Sequence, residues 1–528
     1  VTLYFYERMI KLEKPNLKNN VYKISLLGFI AMIFPNLYGI ANPQQAFYQM
    51  GYAAIIYMIV GAILFFIPYS FMVSEMGSAF KDKQGGIFIW MKESMGEKYS
   101  LIVTMIWYGS QVLWFVTTAT ITWVVVSTAI FGKDMTSTWT FLGLNNSQTL
   151  AILGVILIVV IALASGFGVK NLTFLSTVAL VSMIVIHILI IGGSLIIFAS
   201  SGFHFSQPMI SSFKGVFIGP NPNYSTPLAA TGFFVFVVFM YGGMEIIAGL
   251  ADQVKNPTKN VPKGIIFSTI IITGLMVGIV LLIGMYINWK QVLSGQDVSL
   301  GNFSVYEVQA MGIKLGHVFG LNQAASINLG LWLNRILSWS TAIALAVLPL
   351  KVYAPIKQLF KGVPKGLLPE KLTRENKNGI PMNAVWLQTI IVSAFLIAIG
   401  FSGGSTSTAL YNKVVLIMTV AMTVPYFFIV IAYIKFKKNK NIKKSYEFFS
   451  VKSGVVWGII TAATLLFANI FSIIQPILEG ETNAISNTLW LAAGPIIFAA
   501  VGWILYKRYE IKKKRLVNEN SDNNNLTA

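Results

Sequence analysis

The sequence predicts an all-α integral membrane protein of twelve transmembrane helices, two of them interrupted within the bilayer. Three observations predict it. Of 528 residues, 55% are hydrophobic and 11% charged, with a mean hydropathy of +0.69, whereas soluble domains carry about 25% charged residues. The apolar residues form long unbroken runs, each near the roughly 20 residues that a helix needs to cross a bilayer. Two of those runs, five helices apart, are interrupted by glycine, proline or asparagine. A disulfide scaffold is excluded because the chain has no cysteine, and a disordered chain is excluded by its hydrophobicity.

The spans fall near 24–49, 52–76, 99–131, 148–165, 171–199, 228–251, 264–287, 326–353, 383–401, 411–434, 453–475 and 487–506. The first run has no cleavable-looking site and is taken as a span rather than a signal peptide. Residues 1–23 are then a cytoplasmic leader, 24–506 a single twelve-helix domain, and 507–528 a cytoplasmic tail whose end, with five asparagines after residue 517, is expected to be disordered. Within the domain, spans 1–5 (about 24–199) and 6–10 (about 228–434) form two repeats, with 453–506 added.

Orientation follows from the basic residues. Both termini lie on one side of an even number of spans. That side carries 33 lysines and arginines, the opposite side five, and Arg335 lies inside span 8. This bias places both termini in the cytoplasm of a cell-membrane protein. It also explains the net charge of +20: clusters such as Lys435, Lys437, Lys438, Lys440, Lys443 and Lys444 flank helix ends, where they set topology and attract anionic lipid. Nucleic acid is not an expected partner.

Non-helical backbone at membrane depth is tolerated where it is buried in protein or lines a cavity. Span 1 carries Pro35, Asn36, Gly39 and Asn42; span 6 carries Gly242-Gly243 beside Glu245. Proline removes an amide donor and glycine loosens the backbone. Matched breaks five helices apart imply two five-helix repeats, the second inverted, with a binding site between them. Free amides near Tyr38, Gly39, Ile40 and Ala41 would attract a carboxylate. Carbonyls near Val237, Val238 and Phe239, with Gly242 and Gly243 beyond them, would attract an ammonium. Together they describe an α-amino acid site for a small-molecule substrate, an amino acid or related amine. No cofactor or metal is expected.

Ionisable groups are costly in hydrocarbon and usually face a cavity or a partner. Glu245 and Arg335 stand well inside the spans and are expected to attract each other, as a coupling pair or as a static structural pair. His187 in span 5 either relays protons or bonds a neighbouring helix. Glu75, at the end of span 2, is expected to make a loop contact. Trp107, Trp114, Trp123 and Trp332 either line a pathway or pack. An enzyme has little to work with among three histidines and no cysteine. A channel would need a filter or a ring of like charges, and ATP-driven pumping would need a phosphate-binding loop.

Tyr241-Gly242-Gly243-Met244-Glu245, followed by Val254-Lys255-Asn256-Pro257-Thr258-Lys259-Asn260-Val261-Pro262, resembles span 6 and its trailing loop in the amino acid–polyamine–organocation (APC) superfamily. Pro68, Glu75-Met76-Gly77 and Gly85-Gly86-Ile87-Phe88-Ile89-Trp90 are similar to that family's signature after its second helix. Within the superfamily the likeness is to the glutamate/γ-aminobutyrate antiporter-like branch. The resemblance implies a LeuT-like 5+5 inverted repeat with broken helices 1 and 6, and alternating access as an antiporter or proton symporter. It places Phe239 where an aromatic closes over the substrate and Glu245 where a carboxylate couples transport to protons or electrostatics. Tyr38-Gly39-Ile40 departs from the family's glycine–small–glycine run, span 5 lacks a lysine, and no long C-terminal plug is present. Ser338, Ser340 and Thr341 in span 8 leave sodium coupling open as an alternative.

Overall fold

The computed structural model describes residues 23–209, 213–292, 298 and 303–526; the leader 1–23 therefore falls almost entirely outside the described residues. Among the described residues, twelve helices are long and apolar enough to cross a membrane: Leu26–Met50, Ala53–Ala79, Glu97–Phe131, Asn146–Ser165, Val169–Ser200, Pro227–Ala248, Pro257–Tyr286, Gln323–Phe360, Met382–Phe401, Leu410–Lys438, Val451–Leu478 and Ala484–Arg515. Each coincides with one expected from sequence. The outer faces of the bundle expose large apolar side chains, such as Ile156, Val160 and Leu163 on span 4 and Ile184 and Ile188 on span 5, as a helix facing lipid tails requires.

Two expectations need correction. The last helix continues as Ala484–Leu526, so the polar tail is helical rather than disordered. Span 8 runs on to Phe360 through a short 3₁₀ turn at Leu345–Val347. Lys357, placed beyond the end of span 8 from sequence, is therefore inside a spanning helix, and Lys351 stands nine residues before its end.

Spans 1, 5 and 7 pack together, span 7 also against span 2, while spans 4 and 9 pair with each other and spans 3, 10 and 12 form another group. Span 2 contains one turn of π-helix at Ala62–Phe66. Pro68 follows it and cannot donate to the carbonyl four residues back. That carbonyl, Leu64 O, accepts instead from Thr461 Oγ1 of span 11 at 3.1 Å. The proline thus binds two spans together at the point where it breaks one ladder.

Helices that do not span complete the two ends. Gly86–Met95 lies between spans 2 and 3, and Phe303–Val318 lies between spans 7 and 8 against the start of span 8. Among the described residues, isolated bridges are the other regular pairing, one of them joining Ile24, just before span 1, to Val254, just after span 6.

Candidate functional site

Span 1 is helical over Leu26–Leu37, opens at Tyr38–Ala41, and resumes at Asn42–Met50. The Tyr38 amide still donates to Phe34 O at 2.9 Å, but its ψ of 101° turns the chain out of the helix. The next three amides, of Gly39, Ile40 and Ala41, have no acceptor among the described residues, while Gly39 O accepts from Asn42 N at 3.0 Å. Those three residues are partly exposed; Tyr38 is buried. Its ring stacks on Phe34 with centroids 5.3 Å apart and meets the edge of His187 at 4.9 Å. His187 Nδ1 donates to Met183 O of its own helix at 2.6 Å, so its bond is to span 5 itself rather than to a neighbour.

Span 6 breaks in the same manner. Pro227–Met240 ends at Tyr241, and Met244–Ala248 resumes after Gly243, which has a φ of 107°. That left-handed conformation favours glycine. A Cβ on Gly242 would overlap the hydroxyl of Tyr426 from span 10. At the break the Tyr241 amide donates to Val237 O at 3.3 Å and the Gly242 amide to Phe239 O at 3.2 Å, three residues back. The four-residue ladder thereby skips Val238 O. Val237 and Phe239 carbonyls are already engaged, and the Val237 side chain packs on Gly61 of span 2. Of the expected carbonyls, Val238 O is the one released. Phe239 and Gly242 are partly exposed, Gly243 buried.

The two breaks meet. Asn36 Nδ2, one turn before the first, donates to Gly243 O in the second at 3.4 Å, and Asn36 Oδ1 is buried without a partner. Sequence reasoning used Asn36 only as a poor helix former; its cross-break bond had no separate signal.

Glu245, in the first turn after the span 6 break, is fully buried. Its Oε1 accepts from Trp107 Nε1 at 3.0 Å and its Oε2 from Tyr69 Oη at 3.2 Å. The expected Glu245–Arg335 pair is not formed. Arg335 donates from Nη2 to Phe131 O, at the C-terminal end of span 3, at 3.3 Å, and lies over Trp332 at 4.7 Å. Phe131 and Trp107 stand 24 residues apart on span 3, about 36 Å at 1.5 Å per residue. The two charges therefore sit at different depths. A helix C-terminus carries partial negative charge and suits a guanidinium.

The tryptophans separate likewise. Trp107 holds Glu245, Trp114 lies under the Lys351 ammonium at 4.3 Å, Trp123 packs on Trp139, and Trp332 is exposed on the outer face. Thr341 Oγ1 donates to Leu337 O of its own helix at 2.9 Å.

Polar contacts close both ends of the site. On the side of the termini, Ile24 N donates to Gln253 O and Lys255 N to Ile24 O, each at 2.8 Å, so the start of span 1 is tied to the end of span 6. The end of span 8 holds the same segment: Lys357 pairs with Asp252, Gln358 Nε2 donates to Ile246 O at 2.9 Å, and Gln253 Nε2 to Tyr353 Oη at 2.7 Å. Gln358 Oε1 accepts from Ile87 N at 3.0 Å, which gives the Gly85-Gly86 motif its role, since a side chain at Gly86 would overlap Gln358. Glu75 does make the expected loop contact: it is fully buried, pairs with Lys437 at 3.0 Å and accepts from the amides of Phe448 and Phe449 at 2.7 Å each.

At the opposite end Gln44 Nε2, in the second half of span 1, donates to Glu307 Oε2 at 2.7 Å. Glu307, on the helix Phe303–Val318, is fully buried, and its Oε1 is unpartnered. Burial pushes its carboxyl up to about 8 against the opposing Gln44 bond. Sequence reasoning missed this contact because an acid in a connecting helix reads as a solvated one.

Two mid-membrane breaks joined by an asparagine, one offering bare amides and the other a released carbonyl, define a polar site inside a many-helix membrane protein. The chain belongs to the amino acid permease family, whose profile matches residues 24–501. It is 37% identical over 496 residues to the inner membrane transporter YjeM of Salmonella typhimurium, covering 93% of this chain and 97% of that one. The Escherichia coli protein of that name is 35% identical over 494 residues, with the same coverage. A glutamate/γ-aminobutyrate antiporter of Lactococcus lactis is 23% identical over 498 residues, covering 93% and 92%. The chain is accordingly a membrane transporter, not an enzyme.

Proposed function

We propose that this chain is a secondary active transporter that moves an amino acid or related amine across the cytoplasmic membrane by alternating access, as an antiporter or proton symporter. The observation that carries it is the set of three amides at Gly39, Ile40 and Ala41 without acceptors, beside a span 6 break that releases Val238 O. The amides suit a carboxylate and the carbonyl an ammonium. Tyr38, Gly242 and Gly243 shape the cradle, and Phe239 closes over it. The name of the Lactococcus relative, a glutamate/γ-aminobutyrate antiporter, fits a zwitterionic cargo.

In this mechanism spans 1–5 and 6–10 are inverted repeats of a LeuT-like fold, and both termini face the cytoplasm. The tie between Ile24 and the end of span 6 makes the first half of span 1 and the second half of span 6 move as one piece. Movement of that piece away from Lys357, Gln358 and Tyr353 opens the site on the side of the termini, and parting of Gln44 from Glu307 opens it on the other. Glu245 is the coupling group, held by Trp107 and Tyr69 rather than by a cation, so a change in its protonation alters its hold on span 3 without breaking an ion pair.

Counterflow in proteoliposomes with a panel of labelled amino acids, run with and without a pH gradient, tests this. Saturable uptake of one or a few compounds is expected, driven either by internal substrate or by the gradient. Unsaturable electrogenic flux would replace the transporter with a channel.

A further inference from the structure

Among the lysines within the spanning helices, the fully buried ones are paired with carboxylates. Lys357 faces Asp252, and Lys437 lies between Glu75 and Glu447 with its side chain fully buried. Charges withdrawn from water are kept only with such partners. Lys351 differs. Its ammonium rests on the ring of Trp114, 4.3 Å from the centroid, and among the described residues no carboxylate lies within 4.0 Å of it. Lys413, which also meets an indole, stands near the start of span 10, where a lysine reaches water by extending along the helix. Lys351 is partly buried and has no such end nearby, standing nine residues before Phe360 on a helix that packs against span 3.

Its helix packs on the one that restarts after the span 6 break. Trp114 and Trp107 are seven residues apart on span 3, two turns on one helix face and about 10 Å along the axis. Trp107 reaches Glu245 just past the span 6 break, so Trp114 and the ammonium above it stand about two helical turns along span 3 from that contact. On its own helix Lys351 follows Val347 by four residues, one turn later on the same face. The 3₁₀ turn that ends at Val347 packs on the first half of span 1 and on span 5. Glu245 cannot serve as the missing anion, because both of its oxygens are held by Trp107 and Tyr69.

We infer that Lys351 is a substrate-binding residue that supplies the counter-charge for a second carboxylate on the cargo, making an acidic amino acid the substrate class. This rests on the amino acid transport proposed above. The α-carboxylate occupies the amides at Gly39–Ala41, and the side-chain carboxylate draws the Lys351 ammonium off the Trp114 face into a charge-assisted hydrogen bond. A neutral isostere leaves the ammonium on the indole.

Glutamate and glutamine, equal in size and different in charge, provide the test. Uptake of each, and of leucine, is measured in proteoliposomes for the wild type, Lys351→Met and Lys351→Arg, with size-exclusion profiles to confirm folding. Wild type is expected to favour glutamate. Lys351→Met should lower the glutamate-to-glutamine uptake ratio by about 10- to 100-fold, the range for losing one charge-assisted hydrogen bond, while Lys351→Arg keeps most of the preference. A wild type that carries neutral but not acidic amino acids, or a Lys351→Met variant whose ratio is unchanged, overturns the assignment and leaves amino acid transport standing. Should no amino acid be carried or protect the purified protein against heating, transport of amino acids falls and the assignment with it. If Lys351→Met does not fold, Lys351→Gln with the same ratio decides.

Discussion

Trp107 donates its indole N–H to Glu245 Oε1 at 3.0 Å, joining the first third of span 3 to the helix that restarts after the span 6 break. Tyr69 takes the other oxygen at 3.2 Å. The carboxylate is held by neutral donors, an arrangement that tolerates either protonation state better than an ion pair does.

Glu245→Gln should preserve the fold and flatten the dependence of uptake on external pH, if protons are coupled through this group. Trp107→Phe removes one donor and leaves a buried oxygen unpaired, at a cost of about 1–3 kcal/mol. Thermal unfolding of the purified variants and pH-resolved uptake separate the two effects. An unchanged pH profile in Glu245→Gln removes Glu245 from coupling.

The Gln44–Glu307 contact should respond to pH. Glu307 lies outside the spanning helices, and burial raises its carboxyl from 4.5 to about 8. The closed arrangement therefore holds the proton more tightly than any state that exposes this group. Its advantage is complete below about 4.5 and is lost progressively as pH rises to about 8. The chain has no native cysteine, so Ile40→Cys gives a single reporter at the first break. Labelling of that cysteine by a polar maleimide, corrected for reagent reactivity, should rise with pH across this window and become independent of pH in a Glu307→Gln background.

Gly242 and Tyr426 test the span 6 break. A Cβ at Gly242 would overlap the tyrosine hydroxyl, so Gly242→Ala should abolish most uptake. Ring carbons Cε2 and Cζ of Tyr426 stand almost as close as the hydroxyl, so Tyr426→Leu, which removes all three, should restore part of it in the double variant. Equal uptake by Gly242→Ala and the wild type would show that the approach of span 10 to this break is unimportant for transport.

Lys437 and Glu75 test the seal on the side of the termini. Lys437→Met leaves Glu75 buried with Tyr433 and two amides but no cation, and should cost about 3–5 kcal/mol of stability. Adding Glu75→Gln should recover much of that loss, because the uncompensated charge is then gone. Melting temperatures of the two single variants and the double variant give the coupling energy.

Much of this protein was legible in the chain itself. The count and placement of the twelve spans follow from runs of apolar residues that need no partner to be recognised. Both interruptions fall where proline, asparagine and paired glycines weaken a ladder locally, at Tyr38–Ala41 and Tyr241–Gly243. What sequence reasoning assigned wrongly were partners. Arg335 was matched with Glu245 as the other charge inside the spans, yet it reaches the end of span 3 on the bundle's outer side. Lys357 was placed beyond a span that was ended at 353, seven residues short of Phe360.

The residues by themselves determined that this chain crosses a membrane many times and that two crossings are broken, since hydrophobic length and backbone chemistry act within one segment. Tertiary structure alone decided which charge is answered by which donor, and which is left unanswered. Depth and rotation of each helix come from packing against its neighbours, and a shift of one turn or of half a rotation replaces every partner a buried side chain can reach.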